Sequence, residues 1–456
     1  MDLTVDVLIC GAGIAGVSTA YHLAQKHGVR DILLVDQNSP LSLTSDHSTE
    51  CYRNWWPGPG GSMVALMNRS LDIIERLAIE SNNVFNLNRR GYLYSTADPS
   101  KVADLINESH TISQLGAGPL RIHTGGSIDH FYQPAQPHAY WDQPTGADLI
   151  TETDLIHKHF PYLTEDVVAV LHVRRAGWLS AQQLGMYLLE SAKSHGVKFL
   201  QNRVTDIDTK HGCIASVRLE DGTRIRTKAF INAAGPNIRE VAQMVGIDLP
   251  VYSELHLKVA FKDHLNVLDR DAPMLIWNDA QYLPWNSDER ELLIEDVDFQ
   301  WMLGEMPPGV HTRPEGGADS QIILMLWEYC SESVEPAFPI PIDSQYPEIV
   351  LRGLVKMLPG LQSYIGKAPK PVIDGGYYTK TRENRPLIGK LPIEGVYVLG
   401  ALSGFGIMAS PAAGELLAAQ VTGSPLPPYA PSFSIDRYDD PQYQRLLESW
   451  DAGGQL

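Results

Sequence analysis

The sequence predicts an α/β protein with two units, a parallel-sheet unit and a second α+β unit built on a mixed sheet. Three observations carry that prediction. A short apolar run at Val5–Cys10 passes through a glycine-rich turn into a helical pattern and then a second apolar run. Strand and helix patterns of the same kind return near Gly177 and again after Gly375. Between them, from about 250 to 370, the chain changes to strand-like pieces rich in Trp and Tyr, with proline-rich joints such as Met306-Pro307-Pro308-Gly309.

Each element has a local reason. Val5–Cys10 is apolar enough to be buried on both faces, as a parallel strand requires. The helix after it carries Val17, Ala20, Tyr21, Leu23 and Ala24 and ends at Gly28, and Ile32–Asp36 is the next strand. Helical spacing recurs at Met63–Ile79 and at Gln182–Gly196, where Gly196 closes the helix. Strands follow at Gly91–Tyr94, Lys198–Asn202, Ile214–Leu219 and Lys228–Ala233, with Asp221-Gly222 as a hairpin turn. This reading assigns 1–85, 146–250 and 371–430 to the first unit and 86–145 with 251–370 to the second. Residues 431–456 are a proline-rich tail expected on the surface.

The bulk numbers exclude several function classes. A chain of 456 residues needs two or three packed units, and 44% hydrophobic with 20% charged residues is ordinary for a globular protein. A net charge of −18 disfavours nucleic acid and anionic membrane as partners. Four scattered cysteines fit reduced thiols and a cytoplasmic setting, and the N-terminal run lacks the basic flank of a signal peptide. No stretch of about 18 apolar residues offers a membrane span. HExxH, CxxC, GxSxG and Walker patterns are absent, so neither zinc, nor a serine elbow, nor a nucleotide-phosphate loop is expected, and no metal site is assigned.

The motif that carries chemistry is Gly11-x-Gly13-x-x-Gly16. Gly11 permits a tight turn, Gly13 lets the backbone approach a pyrophosphate, and Gly16 lets the helix lie close to the sheet. The helix N-terminus adds free N–H groups and partial positive charge. Asp36, twenty residues past Gly16, ends the next strand where a carboxylate can accept from an adenosine ribose. This is a Rossmann-type dinucleotide fingerprint, and by itself it does not separate NAD(P) from FAD. A second strand-to-helix turn, Leu399-Gly400-Ala401-Leu402-Ser403-Gly404-Phe405-Gly406, presents another open helix N-terminus to a ligand.

Four blocks, in order along the chain, resemble the D-amino-acid-oxidase-like flavoprotein superfamily, which includes sarcosine oxidases, glycine oxidases and dimethylglycine dehydrogenases. They are the N-terminal glycine motif; Ala176-Gly177-Trp178 through Ile231-Asn232-Ala233-Ala234-Gly235-Pro236; Tyr378 to Gly389 with Val396 to Gly414; and Phe433-Ser434-Ile435-Asp436-Arg437-Tyr438. The resemblance implies non-covalent FAD in a split site. From the N-terminal part it draws Gly11, Gly13, Ile14, Ala15, Gly16, Asp36, Gln37, Ser48 and Thr49. Val204, Ala234, Gly235, Gly404, Phe405, Gly406, Ile407 and Met408 complete that cofactor set. It also aligns Arg53 with a carboxylate-binding arginine, a role the forked guanidinium suits, while a surface ion pair is the alternative. Trp55 and Trp56 read either as pocket walls or as core.

Departures from the family pattern concentrate on the substrate side. Met408 stands where sarcosine oxidases carry a carboxylate-binding lysine, Tyr378 where glycine oxidases carry an arginine, and Gly376 where a cysteine anchors flavin. His47 and Cys51 are the remaining candidates for a covalent flavin bond. Lys258 is close enough in pattern to approach a flavin without an assignable role. Lys380 and Arg382 read either as spare cations close to the pocket or as simply solvated. The resemblance implies oxidation of the C–N bond of an amine or amino-acid derivative to an imine, by hydride transfer to flavin N5, with Arg53, Tyr378 and Met408 at the reacting centre. Oxygen or an electron carrier would be the second partner, and oligomeric state stays open. The alternatives are a non-catalytic FAD-binding subunit of a multi-subunit oxidase, an NAD(P)-dependent Rossmann oxidoreductase and a flavin hydroxylase.

Overall fold

A computed structural model describes residues 2–126 and 131–450. Its first sheet has eight strands. Five run parallel in the spatial order Lys198–Gln201, Ile32–Asp36, Asp2–Cys10, Arg224–Asn232, Val396–Gly400. The central strand is flanked on both sides, and Val5, Val7, Leu8, Ile9 and Cys10 are all buried, which explains its lack of polar alternation. Val204–Lys210 and Cys213–Leu219 form an antiparallel extension, and the Arg224–Asn232 strand starts four residues before the expected Lys228 because it pairs back through the Asp221-Gly222 turn.

Two helices cross beside this sheet. Ile14–Gln25 and Gly406–Val421 are buried along almost their whole length. A Cβ at Gly414 would press on Ser18 and Thr19 at 2.7–2.8 Å, and Ser18 Oγ donates to the Ser410 carbonyl at 2.8 Å. The N-terminal helix is thereby tied to a helix 392 residues later. The expected helices at 63–79 and 182–196 are observed as Ser62–Glu80 and Ala181–Ser194, the latter capped by Ser180 Oγ, which accepts from Gln183 N.

The second sheet has nine strands, mostly antiparallel, running from Val372–Lys380 at one edge to Leu120–His123 at the other. Tyr252–Lys262 pairs with Val372–Lys380 along nine register positions and with Ile322–Leu326 on its other side. Ala147–Ile150, Ala169–Val173 and Val372–Lys380 are hydrogen-bonded into this sheet, whereas the sequence boundaries group 146–250 and 371–430 with the first. Strands carry little sequence information about which sheet edge they join. A short antiparallel pair, Cys51–Arg53 with Ala176–Trp178, lies apart from both sheets.

The tail departs from its expected surface position. Ala430, Phe433 and Arg437 are buried, and Arg437 pairs with the fully buried Glu383 at 2.7 Å. The hydroxyls of Tyr438 and Tyr443 donate to the same carboxylate, so residues 430–443 are clasped to the 381–386 loop. A buried Glu383 needs such donors, and among the described residues the tail supplies them. Residues 451–456 of the tail lie outside the described residues.

Candidate functional site

The glycine motif divides its work between fold and ligand. Gly11 has φ +107°, and a Cβ there would overlap the Ala233 carbonyl. A Cβ at Gly16 would overlap the Gly11 carbonyl, so this glycine sits beneath the helix and faces no cavity. Gly13 is different: only Ser45 Oγ comes within 4 Å, at 3.4 Å, and the space beyond is a cleft of about 640 Å³. Ile14 and Ala15 line the cleft from one helix N-terminus and Gly404, Gly406 and Ile407 from the other, with Ser48 and Gly235 closing the sides. Ser45 Oγ accepts from Ile14 N at 3.0 Å, a contact the sequence does not signal.

A second cavity of about 770 Å³ adjoins the first across the Gly11–Gly13 and Ala233–Gly235 backbones. Gly11, Asp36, Gln37, Val204 and Ala234 line it. Asp36 accepts from Ala12 N at 2.8 Å and Asn38 N at 2.9 Å, and burial raises its carboxyl above the ordinary range. Together the two spaces form an elongated cradle with backbone N–H groups at its waist and a carboxylate at one end. Those features fit a dinucleotide with its pyrophosphate at Gly13.

A third cavity, about 570 Å³, lies between the second glycine turn and the nine-stranded sheet. Arg53, Tyr378 and Met408 all line it, as do Thr49 and Phe405, so these last two and Met408 face this space rather than the cleft. The Arg53 amide donates to Met408 Sδ at 3.4 Å. Arg53 is 3% exposed, which excludes a surface ion pair. Its guanidinium lies 4.5 Å over the Trp56 ring and donates from Nε to the Trp55 carbonyl. Trp55 and Trp56 are buried supports and do not line the pocket. Gly404 is required because a Cβ there would overlap the Tyr378 ring.

The sequence does not signal the polar groups that share this cavity with Arg53. His256 stacks on Tyr378 at 4.0 Å and 14°. Its Nε2 meets Glu254 and its Nδ1 meets Glu328, both at 3.0 Å, and Lys380 pairs with Glu254 at 2.5 Å. Lys380 is therefore a buried partner, not a solvated cation, while Arg382 is exposed. Burial opposes charge on His256, but Glu328 and Glu254 outweigh it and raise its pKa above 6.5. Burial likewise works against Glu328, yet His256 and Lys380 hold it at about 2. His311 is buried and shifted down, and its Nδ1 contacts the Gly309 carbonyl at 2.8 Å. A carbonyl can only accept, so the proton sits on Nδ1 and Nε2 keeps its lone pair. Lys258 donates to the Ser48 carbonyl at 3.0 Å and pairs with Asp374, which also holds His47.

The profile of the family described as FAD dependent oxidoreductase (DAO) matches residues 6–420. The chain belongs to that family. FAD is thereby selected from the two dinucleotides the glycine motif leaves open, and NAD(P) is set aside as the cradle's ligand. This FAD-dependent oxidoreductase is 25% identical over 421 residues, 90% of the chain, to mitochondrial dimethylglycine dehydrogenase of Mus musculus. It is 26% identical over 262 residues, 56% of the chain, to the sarcosine oxidase beta subunit of Rhizobium meliloti (strain 1021). The chain spans 42% and 55% of those two proteins. L-proline dehydrogenase from P. horikoshii shares the fold, with a TM-score of 0.73 at 19% identity, covering 96% of this chain and 99% of that one. Among the described residues no helix is long and apolar enough to cross a membrane.

Proposed function

We propose that this protein is an enzyme that oxidises the C–N bond of a primary or secondary amine, an amino acid or its derivative, to an imine. The observation that carries the reading is the convergence of Arg53, Tyr378 and Met408 on one cavity that shares Gly404 with the cofactor cleft. Relatives named for the oxidation of sarcosine and dimethylglycine support the substrate class.

Bound FAD supplies the hydride acceptor for the amine carbon. Everything else is done by the chain. Arg53, its charge shielded from water and held over Trp56, forks the substrate carboxylate. Met408 and the Tyr378 ring wall an apolar space, and the Tyr378 hydroxyl, shifted up by burial, stays protonated as a donor. Nε2 of His311 accepts the extra proton of an arriving ammonium, so that the amine is neutral when it reacts. The two helix N-termini place partial positive charge along the cleft. Water hydrolyses the imine product, and oxygen or an electron carrier serves as second substrate.

We also propose that FAD is held without a covalent bond, because His47 is engaged by Asp374 and Cys51 Sγ donates to the Thr49 carbonyl. Four unpaired cysteines support a cytoplasmic location. The division into an FAD-binding unit and a substrate unit rests on the two separate sheets.

The test is anaerobic mixing of the purified yellow protein with a panel of amino acids, N-methyl amino acids and cyclic amines. Bleaching of the visible flavin absorbance by carboxylate-bearing amines is the expected result. Bleaching by none of them makes the chain a non-catalytic flavin-binding subunit, and bleaching by NADPH alone makes it a hydroxylase. Flavin that stays with acid-precipitated protein overturns the non-covalent assignment.

A further inference from the structure

A fourth cavity, about 980 Å³, opens on the far side of the substrate pocket. His256, Leu257, Trp327, Glu328 and Tyr346 line both spaces and form the partition between them. The far cavity is walled by aromatic rings. Trp301 stacks on Tyr329 at 5.7 Å and 23°, Tyr329 on Tyr346 at 5.8 Å and 25°, and Trp327 stands edge-on to Tyr329 at 5.8 Å. Two carboxylates complete the lining, Glu328 on the partition and the exposed Asp343 on the opposite side. The sole basic side chain in the lining is His256, and both of its ring nitrogens are engaged by Glu254 and Glu328.

The composition decides the class of ligand. An anionic group would meet the Asp343 carboxylate and a Glu328 already paired with His256, and the lining offers no uncommitted cation to receive it. A neutral alkyl group would find the ring surface but gain nothing from the acids. A substituted ammonium gains from both, since ring faces and carboxylates each attract a weakly hydrated cation. The protein's net charge of −18 favours the arrival of cations. We propose that this cavity is a recognition subsite for a substituted ammonium, held on the other side of the partition from the cavity beside Arg53 and Met408.

Direct binding tests it without turnover. The FAD-loaded protein is titrated by calorimetry with choline and with its neutral carbon isostere, 3,3-dimethylbutan-1-ol. Choline is expected to bind about 10-fold more tightly than the alcohol. Trp301 lines this cavity and not the one beside Met408, and it is 46% exposed, so Trp301→Ala leaves the fold intact. That variant is expected to lose the preference for choline, and Trp301→Phe to restore most of it. Equal affinity for the two probes, binding of neither, or a preference that survives Trp301→Ala overturns the proposal. Choline preference in a protein whose flavin no amine bleaches keeps the subsite and overturns the oxidation reading instead.

Discussion

The two sides of the cleft are made of different material. In the cleft the chain works through backbone: Gly13, Gly235, Gly404 and Gly406 line it with no side chain at all, and two helix N-termini supply partial positive charge. In the adjoining pocket it works through buried charged side chains, with Arg53 lining the same cavity as the His256–Glu328 ion pair. A backbone cradle is intolerant of added atoms and indifferent to chemistry. A side-chain pocket is the reverse, so the two sides should fail in different ways when changed.

The largest effect is expected on the cradle. Gly13→Val leaves the fold nearly undisturbed, because only Ser45 Oγ is near, but fills the space at the waist. Flavin content should drop at least ~10-fold while the circular dichroism spectrum is retained, because the backbone N–H groups stay folded but the anion can no longer approach them. A fully yellow variant would break the comparison. Next comes Arg53→Lys, which keeps the charge and loses the fork. An apparent KM about 30-fold higher for a carboxylate substrate is expected, from ~2 kcal/mol of lost contact, with flavin content unchanged. An unchanged KM removes Arg53 from the pocket's chemistry.

Gly404→Ala acts where the two sides meet, since its Cβ would push the Tyr378 ring. Amine affinity and flavin affinity should both weaken, each by roughly 3- to 10-fold, the outcome of a local overpacking cost. A change in one alone would show that Gly404 belongs to one side only. The smallest effect is on pH dependence. Glu328 is held at about 2, below its ordinary 4.5, so its share of stability is present above pH 4.5 and lost as pH falls toward 2. His256 is raised above 6.5, so its share is complete below that value and lost as pH rises through the raised one. Melting temperatures of the wild type minus Glu328→Gln should differ most between pH 4.5 and 6.5. A difference that does not vary with pH would show that the pair is not ionised.

The same contrast explains what could be read from the chain directly. Glycine spacing after an apolar strand is a local signal, and Gly11, Gly13, Asp36 and the Gly404–Gly406 turn stand where it places them. The pocket's ionic groups carry no such signal. His256, His311 and Glu328 come from three strands or strand ends whose register appears only after the nine-stranded sheet has formed. One histidine on an alternating strand looks like any other until Tyr378 is set beside it by pairing across the Tyr252–Lys262 and Val372–Lys380 strands. The buried tail is illegible for a related reason: its proline content reads as surface, and the carboxylate it serves, Glu383, lies 54 residues away from Arg437.

The central parallel strands also set a timetable. The strand at Asp2–Cys10 is made before the other strands of its sheet, yet one wall of its cleft is the turn after Val396–Gly400, a strand that pairs with Arg224–Asn232. Until that turn has been made a nascent chain carries an incomplete cradle, and its helix at Ile14–Gln25 lacks the partner helix at Gly406–Val421 that packs against it. Cofactor capture waits for the turn at 401–406, and a chain arrested before residue 400 is a substrate for quality control, whatever the integrity of its glycine motif.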